Sequence, residues 1–212
     1  MIFFDADPTV EFYVGVAAEY VDRGISLSSS KPVAFGGADA DFEGFYVGVW
    51  GATVDFTDFG DDETDIELSI YAGRRLTLAG IDLDVGFAHN VYGGQPADAQ
   101  LNFSEFQVLA TRSYGPLALE ATLAYSPNFT ADSGEAWYSE ISIVRQLSGP
   151  WAIYSGVGRQ QIETGGNYNT WNGGLTWTLD TLSIDARFSD TDQRELGSAY
   201  GSRLSITLEV AF

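Results

Sequence analysis

Residues 10–20 read Val10-Glu11-Phe12-Tyr13-Val14-Gly15-Val16-Ala17-Ala18-Glu19-Tyr20. Val10, Phe12, Val14, Val16, Ala18 and Tyr20 share one parity, and Glu11, Tyr13, Gly15, Ala17 and Glu19 share the other. Side chains of a strand alternate between its faces, so this segment has one apolar face and one polar face. Its length suits a tilted strand that crosses a membrane, which needs ~9–11 residues.

The pattern recurs along the chain. Ile66, Leu68 and Ile70 alternate with Asp65, Glu67 and Ser69. Ile81, Leu83, Val85 and Phe87 alternate with Asp82, Asp84, Gly86 and Ala88. Leu117, Leu119, Ala121, Leu123 and Tyr125 alternate with Ala118, Glu120, Thr122 and Ala124. Segments around Trp171–Leu179, Leu182–Phe188 and Leu204–Phe212 repeat it, with Asp185, Arg187, Arg203 and Glu209 on their polar faces. Less regular stretches near 32–42, 44–54, 101–111, 136–147 and 151–160 complete a set of about twelve strands, an even number as bacterial barrels have.

The connections alternate in length. Short turns fall near Asp41–Gly44, Arg74–Thr77, Arg112–Pro116, Leu147–Pro150 and Leu179–Thr181. Longer polar loops fall near Val21–Lys31, Asp55–Thr64, Asn90–Gln100, Ser126–Glu135, Gln160–Asn167 and Ser189–Ala199. An up-and-down membrane barrel has this asymmetry, with tight turns on the periplasmic side and longer loops outside. A soluble sandwich has no reason to alternate so regularly. The spacing therefore predicts an all-β chain, a closed antiparallel up-and-down transmembrane barrel occupying residues 1–212 as one domain. Phe212 closes the last alternating strand in the manner of an outer-membrane insertion signal.

Composition agrees. Aromatics make up 14% of the 212 residues and Gly fills 24 positions, against 6 Pro, which favours strands over helices. No run approaches the ~20 apolar residues of a membrane helix. The absence of Cys excludes disulfides and thiolate chemistry. With 30 acidic and 10 basic residues the net charge is -20, which opposes nucleic-acid binding. Met1-Ile2-Phe3-Phe4-Asp5 lacks the basic and long apolar regions of a secretory signal. An exported barrel therefore requires a signal that has been removed or replaced by a start Met.

Tyr20-Val21-Asp22-Arg23-Gly24-Ile25-Ser26, then Lys31-Pro32, Gly36-Gly37 and Gly44-Phe45-Tyr46-Val47-Gly48-Val49-Trp50-Gly51, form a recognisable set. Over residues 10–56 it resembles the proteobacterial conserved-hypothetical family labelled Gcw_chp. The resemblance implies an outer-membrane barrel with no assigned activity, and it brings no catalytic residues. Within the motif, Gly24 permits a turn and Arg23 is expected to pair with an acidic neighbour. Ligand binding by this loop is the less favoured alternative.

Chemistry has few candidates. The one His, His89, continues the apolar series Leu83, Val85, Phe87, so it is expected to point outward, away from any partner of a catalytic dyad. Paired carboxylates occur at Asp82/Asp84, Asp190/Asp192 and Asp39/Asp41, but spacing along a strand does not set two acids across a substrate. Asp61, Asp62, Glu63 and Asp65 offer oxygens for Ca²⁺ without the order of a dedicated loop, and a solvated acidic loop is the favoured reading. No cofactor is expected.

The polar faces carry Glu11, Glu19, Glu67, Asp82, Asp84, Glu120, Asp185 and Glu209 against Arg187 and Arg203. Turned inward, they make an acidic lumen that favours cations, or a plugged interior whose polar groups satisfy one another. Trp50, Trp137, Trp151, Trp171 and Trp177 suit interfacial girdles, with core packing the competing reading for Trp50 and Trp177. The expected function is a narrow, cation-preferring outer-membrane channel for small cationic or neutral solutes, and not an enzyme. Its partners are then the lipid bilayer and the outer-membrane assembly machinery. The alternative is a non-conducting barrel whose extracellular loops bind a partner or divalent cations, and a soluble lipocalin-like binder is a further one.

Overall fold

The polar and apolar parities become the two faces of a closed wall. The computed structural model describes residues 8–212, so the Met1–Asp5 segment lies outside the described residues. In chain order the strands are β1 (Thr9–Ala17), β2 (Val21–Asp22), β3 (Ile25–Ser26), β4 (Val33–Phe42) and β5 (Phe45–Thr53). Then come β6 (Ile66–Leu78), β7 (Ile81–Gly93), β8 (Phe103–Tyr114), β9 (Leu117–Ser126) and β10 (Ala136–Gln146). The last are β11 (Trp151–Ile162), β12 (Tyr168–Leu179), β13 (Leu182–Thr191) and β14 (Arg203–Ala211). All except β2 and β3 close into one antiparallel barrel of twelve strands, with β1 and β14 meeting at the seam. Closure leaves no unpaired edge, as a wall in lipid requires.

The short turns have the chemistry that hairpins demand. Glu43-Gly44 and Ala79-Gly80 each place both central residues at positive φ, 52° and 80° in the first, 52° and 77° in the second. This is the type I′ signature, whose twist matches that of the flanking strands. The second turn corrects one sequence expectation. Arg74–Thr77 is not a turn but lies within β6, where Arg74 faces Val85 and Thr77 faces Asp82 across the ladder. Arg75 and Thr77 are polar because they face the lumen, and the chain reverses only at Gly80.

The molecule is inside-out relative to a water-soluble barrel. Ile141 and Leu204 are each 65% exposed on the outer face, whereas the largest fully buried side chains are Gln160, Thr170, Thr191 and Asp190. A polar interior and an apolar exterior mean that the exterior solvent is hydrocarbon. Aromatic rings mark both rims of this apolar band. Trp137 packs on Tyr125 at 4.5 Å at the long-loop end, and Trp151 pairs with Trp177 at 6.5 Å at the short-turn end. Trp177 thus faces outward. Trp50 faces the interior and meets Tyr20 edge-on at 5.5 Å.

Phe212 helps to close the seam. Its N–H donates to the Phe12 carbonyl at 2.8 Å, the Phe12 N–H donates back at 3.0 Å, and the two rings stack at 6.2 Å. His89 is exposed on the outer face, with Nδ1 2.9 Å from Ser104 Oγ. At the other end of the first strand, alternation stops at Ala17. Tyr20 does not continue the apolar face: the chain bends inward there, and the Tyr20 ring joins Leu27, Leu101 and Phe103 against the buried cluster Val54, Phe56 and Tyr92.

Candidate functional site: the lumen

The inward bend delivers β2 and β3 into the bore as a two-residue hairpin in which Asp22 faces Ile25. Its central residues, Arg23 at φ 46° and Gly24 at φ 83°, form another type I′ turn. A left-handed conformation is unfavourable for Arg23, and the side chain is anchored at several points. Nη2 donates to Glu105 Oε1 on β8 at 2.5 Å, and Nη1 donates to Gln160 Oε1 on β11 at 3.3 Å. The guanidinium also lies 4.6 Å from the ring centroid of Tyr138 on β10. Asp22, its acidic sequence neighbour, is farther away at 3.8 Å. Gly24 touches the wall too: a Cβ there would fall 2.3 Å from Thr170 Oγ1. The hairpin leaves the wall at β1 and reaches β8, β10, β11 and β12, so it crosses the bore.

The rim above it is held by charge. Glu19 and Arg203, both buried, form an ion pair, and Arg203 Nη2 donates to the carbonyls of Ser198 at 2.8 Å and Ala199 at 2.6 Å. Thr191 donates to the Tyr200 carbonyl at 2.7 Å. The loop between β13 and β14 is thereby folded over the mouth against β3.

Below the hairpin lies a cavity of about 780 Å³. Its lining includes six carboxylates, Asp22, Glu67, Glu105, Glu120, Glu140 and Asp185, against two guanidiniums, Arg23 and Arg187. The wall itself is built from tyrosines laid on glycines. Tyr13 faces Gly37, Tyr71 faces Gly48, Tyr46 faces Gly73 and Tyr154 faces Gly174 across the ladder. A Cβ at Gly37 would fall 2.4 Å from the Tyr13 hydroxyl. The missing side chain lets each ring lie along the wall and leaves the bore unfilled.

Hydroxyls tie these rings to acids. Tyr46 donates to Asp84 at 2.6 Å, Tyr71 to Asp39 at 2.7 Å, Tyr138 to Glu140 at 2.6 Å and Tyr154 to Asp185 at 2.9 Å. Glu120 accepts from Ser142 at 3.1 Å, and Asp82 accepts from Thr77 at 2.6 Å near the short-turn end. Asp185 also meets Arg187 at 3.6 Å. Glu67 is buried beside Tyr20 and Tyr92, and its Oε2 has no hydrogen-bond partner among the described residues. Glu11 lies opposite Asp39 in the ladder, and Glu209 opposite Gly15.

The acidic loop between β5 and β6 is a different matter. Asp61 Oδ1 accepts from the N–H groups of Glu63 at 2.9 Å and Thr64 at 3.1 Å, so this carboxylate is occupied within its own loop. Among the described residues no group of three His, Cys, Asp or Glu side chains converges to hold a metal, and Asp61, Asp62, Glu63 and Asp65 are not gathered into one.

Sequence parity did not single out Asp39, Arg75, Glu105, Glu140 or Gln160 as lumen residues. Glu105, Glu140 and Gln160 lie on irregular strands where both parities mix small and apolar residues. The available signal was the set of tyrosines on otherwise polar parities opposite glycines.

The model of a family described as bacterial proteins of unknown function, Gcw_chp, matches residues 5–210. The chain belongs to that family. No curated protein matches this Gcw_chp chain. Among solved structures it is similar to the KdgM porin, with a TM-score of 0.65, 10% identity, and 96% of this chain and 99% of the porin covered. It is likewise similar to an outer membrane channel from Pseudomonas putida, with a TM-score of 0.62, 11% identity and coverage of 96% and 95%. LpxR from Salmonella typhimurium aligns with a TM-score of 0.52 at 12% identity. At these identities the likeness establishes the fold: this Gcw_chp chain is a porin-like barrel of the outer-membrane type.

Proposed function

We propose that this barrel is a narrow outer-membrane channel that prefers cations, admitting small cationic or neutral solutes. The observation that carries the reading is the cavity lining, where six carboxylates oppose two guanidiniums beside a hairpin that already occupies part of the bore. Acids lining a confined aqueous path raise the local concentration of cations and repel anions. The porin fold supports a path through the barrel, with the long loops facing outward from the cell. One solved structure of the KdgM porin is a complex with oligogalacturonate; a polyanion of that kind is disfavoured by the carboxylate excess here. His89, on the outer face and bonded to Ser104, is not placed to form a His–carboxylate dyad with the lumen acids.

The test is conductance in a planar bilayer under a salt gradient. A reversal potential on the cation side is expected; clear anion preference, or silence from folded protein, overturns the proposal. One observation favours a second reading. The hairpin and the β13–β14 loop staple the mouth, as in a barrel that displays its loops to a partner instead of conducting. Silence in the bilayer together with a stoichiometric partner from solubilised membrane would select it.

A further inference from the structure

Three lumen tyrosines have the same surroundings. Arg75 stands 4.4 Å from the ring centroid of Tyr46, whose hydroxyl donates to Asp84. Arg187 stands 5.2 Å from Tyr154, whose hydroxyl donates to Asp185. Arg23 stands 4.6 Å from Tyr138, whose hydroxyl donates to Glu140. In each, a guanidinium rests on a ring whose hydroxyl is bound to a carboxylate. The ring quadrupole and the nearby negative charge both attract a flat cation.

Among the described residues, Tyr71 has every part of this arrangement except the cation. A Cβ at Gly48 would fall 2.4 Å from its ring, so one face lies on the wall. Its hydroxyl donates to Asp39 at 2.7 Å and lies 3.3 Å from the Tyr13 hydroxyl. Tyr13 and Tyr71 both line the cavity. Among the described residues Asp39, Glu11 and Glu209 have no ion-pair partner, and all three act electrostatically on Tyr13. This sector of the wall therefore carries uncompensated charge beside an aromatic face, where the other three sectors supply an arginine.

We propose that the recess formed by Tyr13, Tyr71 and Asp39 binds the guanidinium group of a small solute, taking the place that arginine occupies in the other three. The proposal rests on the lumen being reached by solutes and names the chemistry they carry. In passage such a site holds the solute briefly on the wall below the hairpin and makes flux saturable at high solute concentration.

The probe is methylguanidinium chloride, titrated calorimetrically into the detergent-solubilised full chain at constant ionic strength, with sodium chloride as reference. Saturable binding is expected for methylguanidinium alone, weakened about tenfold in Tyr71→Leu and in Asp39→Asn. Folding of each variant is read from its heat-modifiable gel mobility. Should Tyr71→Leu fail to fold, Asp39→Asn decides alone, since it removes charge without changing shape. No saturable heat, or equal affinity in Asp39→Asn, overturns the site. Conductance of the same preparations separates the two readings. A conducting barrel with no methylguanidinium site sinks only the recess, and a silent barrel with the site sinks only the channel.

Discussion

The guanidinium of Arg23, at the tip of a hairpin rooted beside β1, lies 2.5 Å from the Glu105 carboxylate on β8, across the bore. Both side chains are largely buried, at 15% and 11% exposure. Removing one partner of such a pair leaves a charge without compensation and costs about 3–5 kcal/mol. Arg23→Ala is thus expected to lower unfolding stability in vesicles by about that amount, while Arg23→Ala with Glu105→Ala loses clearly less. Urea titrations of the single and double variants check this. Equal losses would mean that the pair does not tether the hairpin.

The same tether makes a prediction about conductance. If the hairpin is the constriction, freeing its tip widens the path while the wall stays intact. Arg23→Ala should raise single-channel conductance above that of the parent. Unchanged conductance in Arg23→Ala would place the constriction elsewhere.

The tyrosine-on-glycine wall makes a packing prediction. A Cβ at Gly174 would fall 2.4 Å from the Tyr154 hydroxyl and 2.8 Å from the Ala186 carbonyl. Gly174→Ala must push the ring off the wall, breaking its bonds to Asp185 and Arg187. Overpacking of this kind costs about 1–3 kcal/mol, and the displaced ring narrows the bore. A drop in both unfolding midpoint and conductance is expected, and a variant matching the parent in both would refute the packing account.

Much of the wall was legible in the sequence because a strand's period is two: Val10 to Val16 could only put one parity into lipid. The first short connection was legible because a tight turn needs glycine or its equivalent, as at Gly44. The second was misplaced at Arg74–Thr77, where lumen-facing polar residues imitate a turn, and the chain reverses at Gly80. Period two carries no information once the chain leaves the wall. Tyr20 kept the parity of Phe12 and Val14 yet turned inward. Nothing local to Asp22-Arg23-Gly24-Ile25 announces that its turn reaches Glu105 and Gln160, which are 82 and 137 residues away. Such contacts are fixed by closure of the ring, which brings distant strands to face one another.

The loops above the hairpin should respond to acid late. Lys31 and the Thr57 hydroxyl hold the Asp55 carboxylate well below its ordinary range, and Ser29 donates to the Asp55 carbonyl at 2.8 Å. A lowered carboxylate contributes stability that is complete above its unfolded value of about 3.9 and is lost as pH falls through the folded value. Proteolytic protection of residues 27–31 and 54–58 is therefore expected to stay constant from neutral pH to about 4. In Lys31→Met its loss should begin at higher pH than in the parent. The same onset in both proteins would show that Lys31 does not latch these loops.

The apolar exterior is the feature on which the membrane reading stands, and one residue tests it directly. Ile141, mid-strand on β10, is 65% exposed and faces away from the lumen. In a barrel dissolved in water an arginine there would meet solvent and cost little, since exposed substitutions usually change stability by less than about 0.5 kcal/mol. In a barrel spanning lipid the same charge lies in hydrocarbon, where Arg costs about 2–4 kcal/mol near the midplane. Ile141→Arg should accordingly reduce stability by that larger amount in phospholipid vesicles. Trp151→Arg, at the short-turn rim, should lose less charge penalty because it lies near the headgroups. A depth-independent, sub-kilocalorie response at both positions would contradict a lipid-facing wall, whatever the lumen conducts.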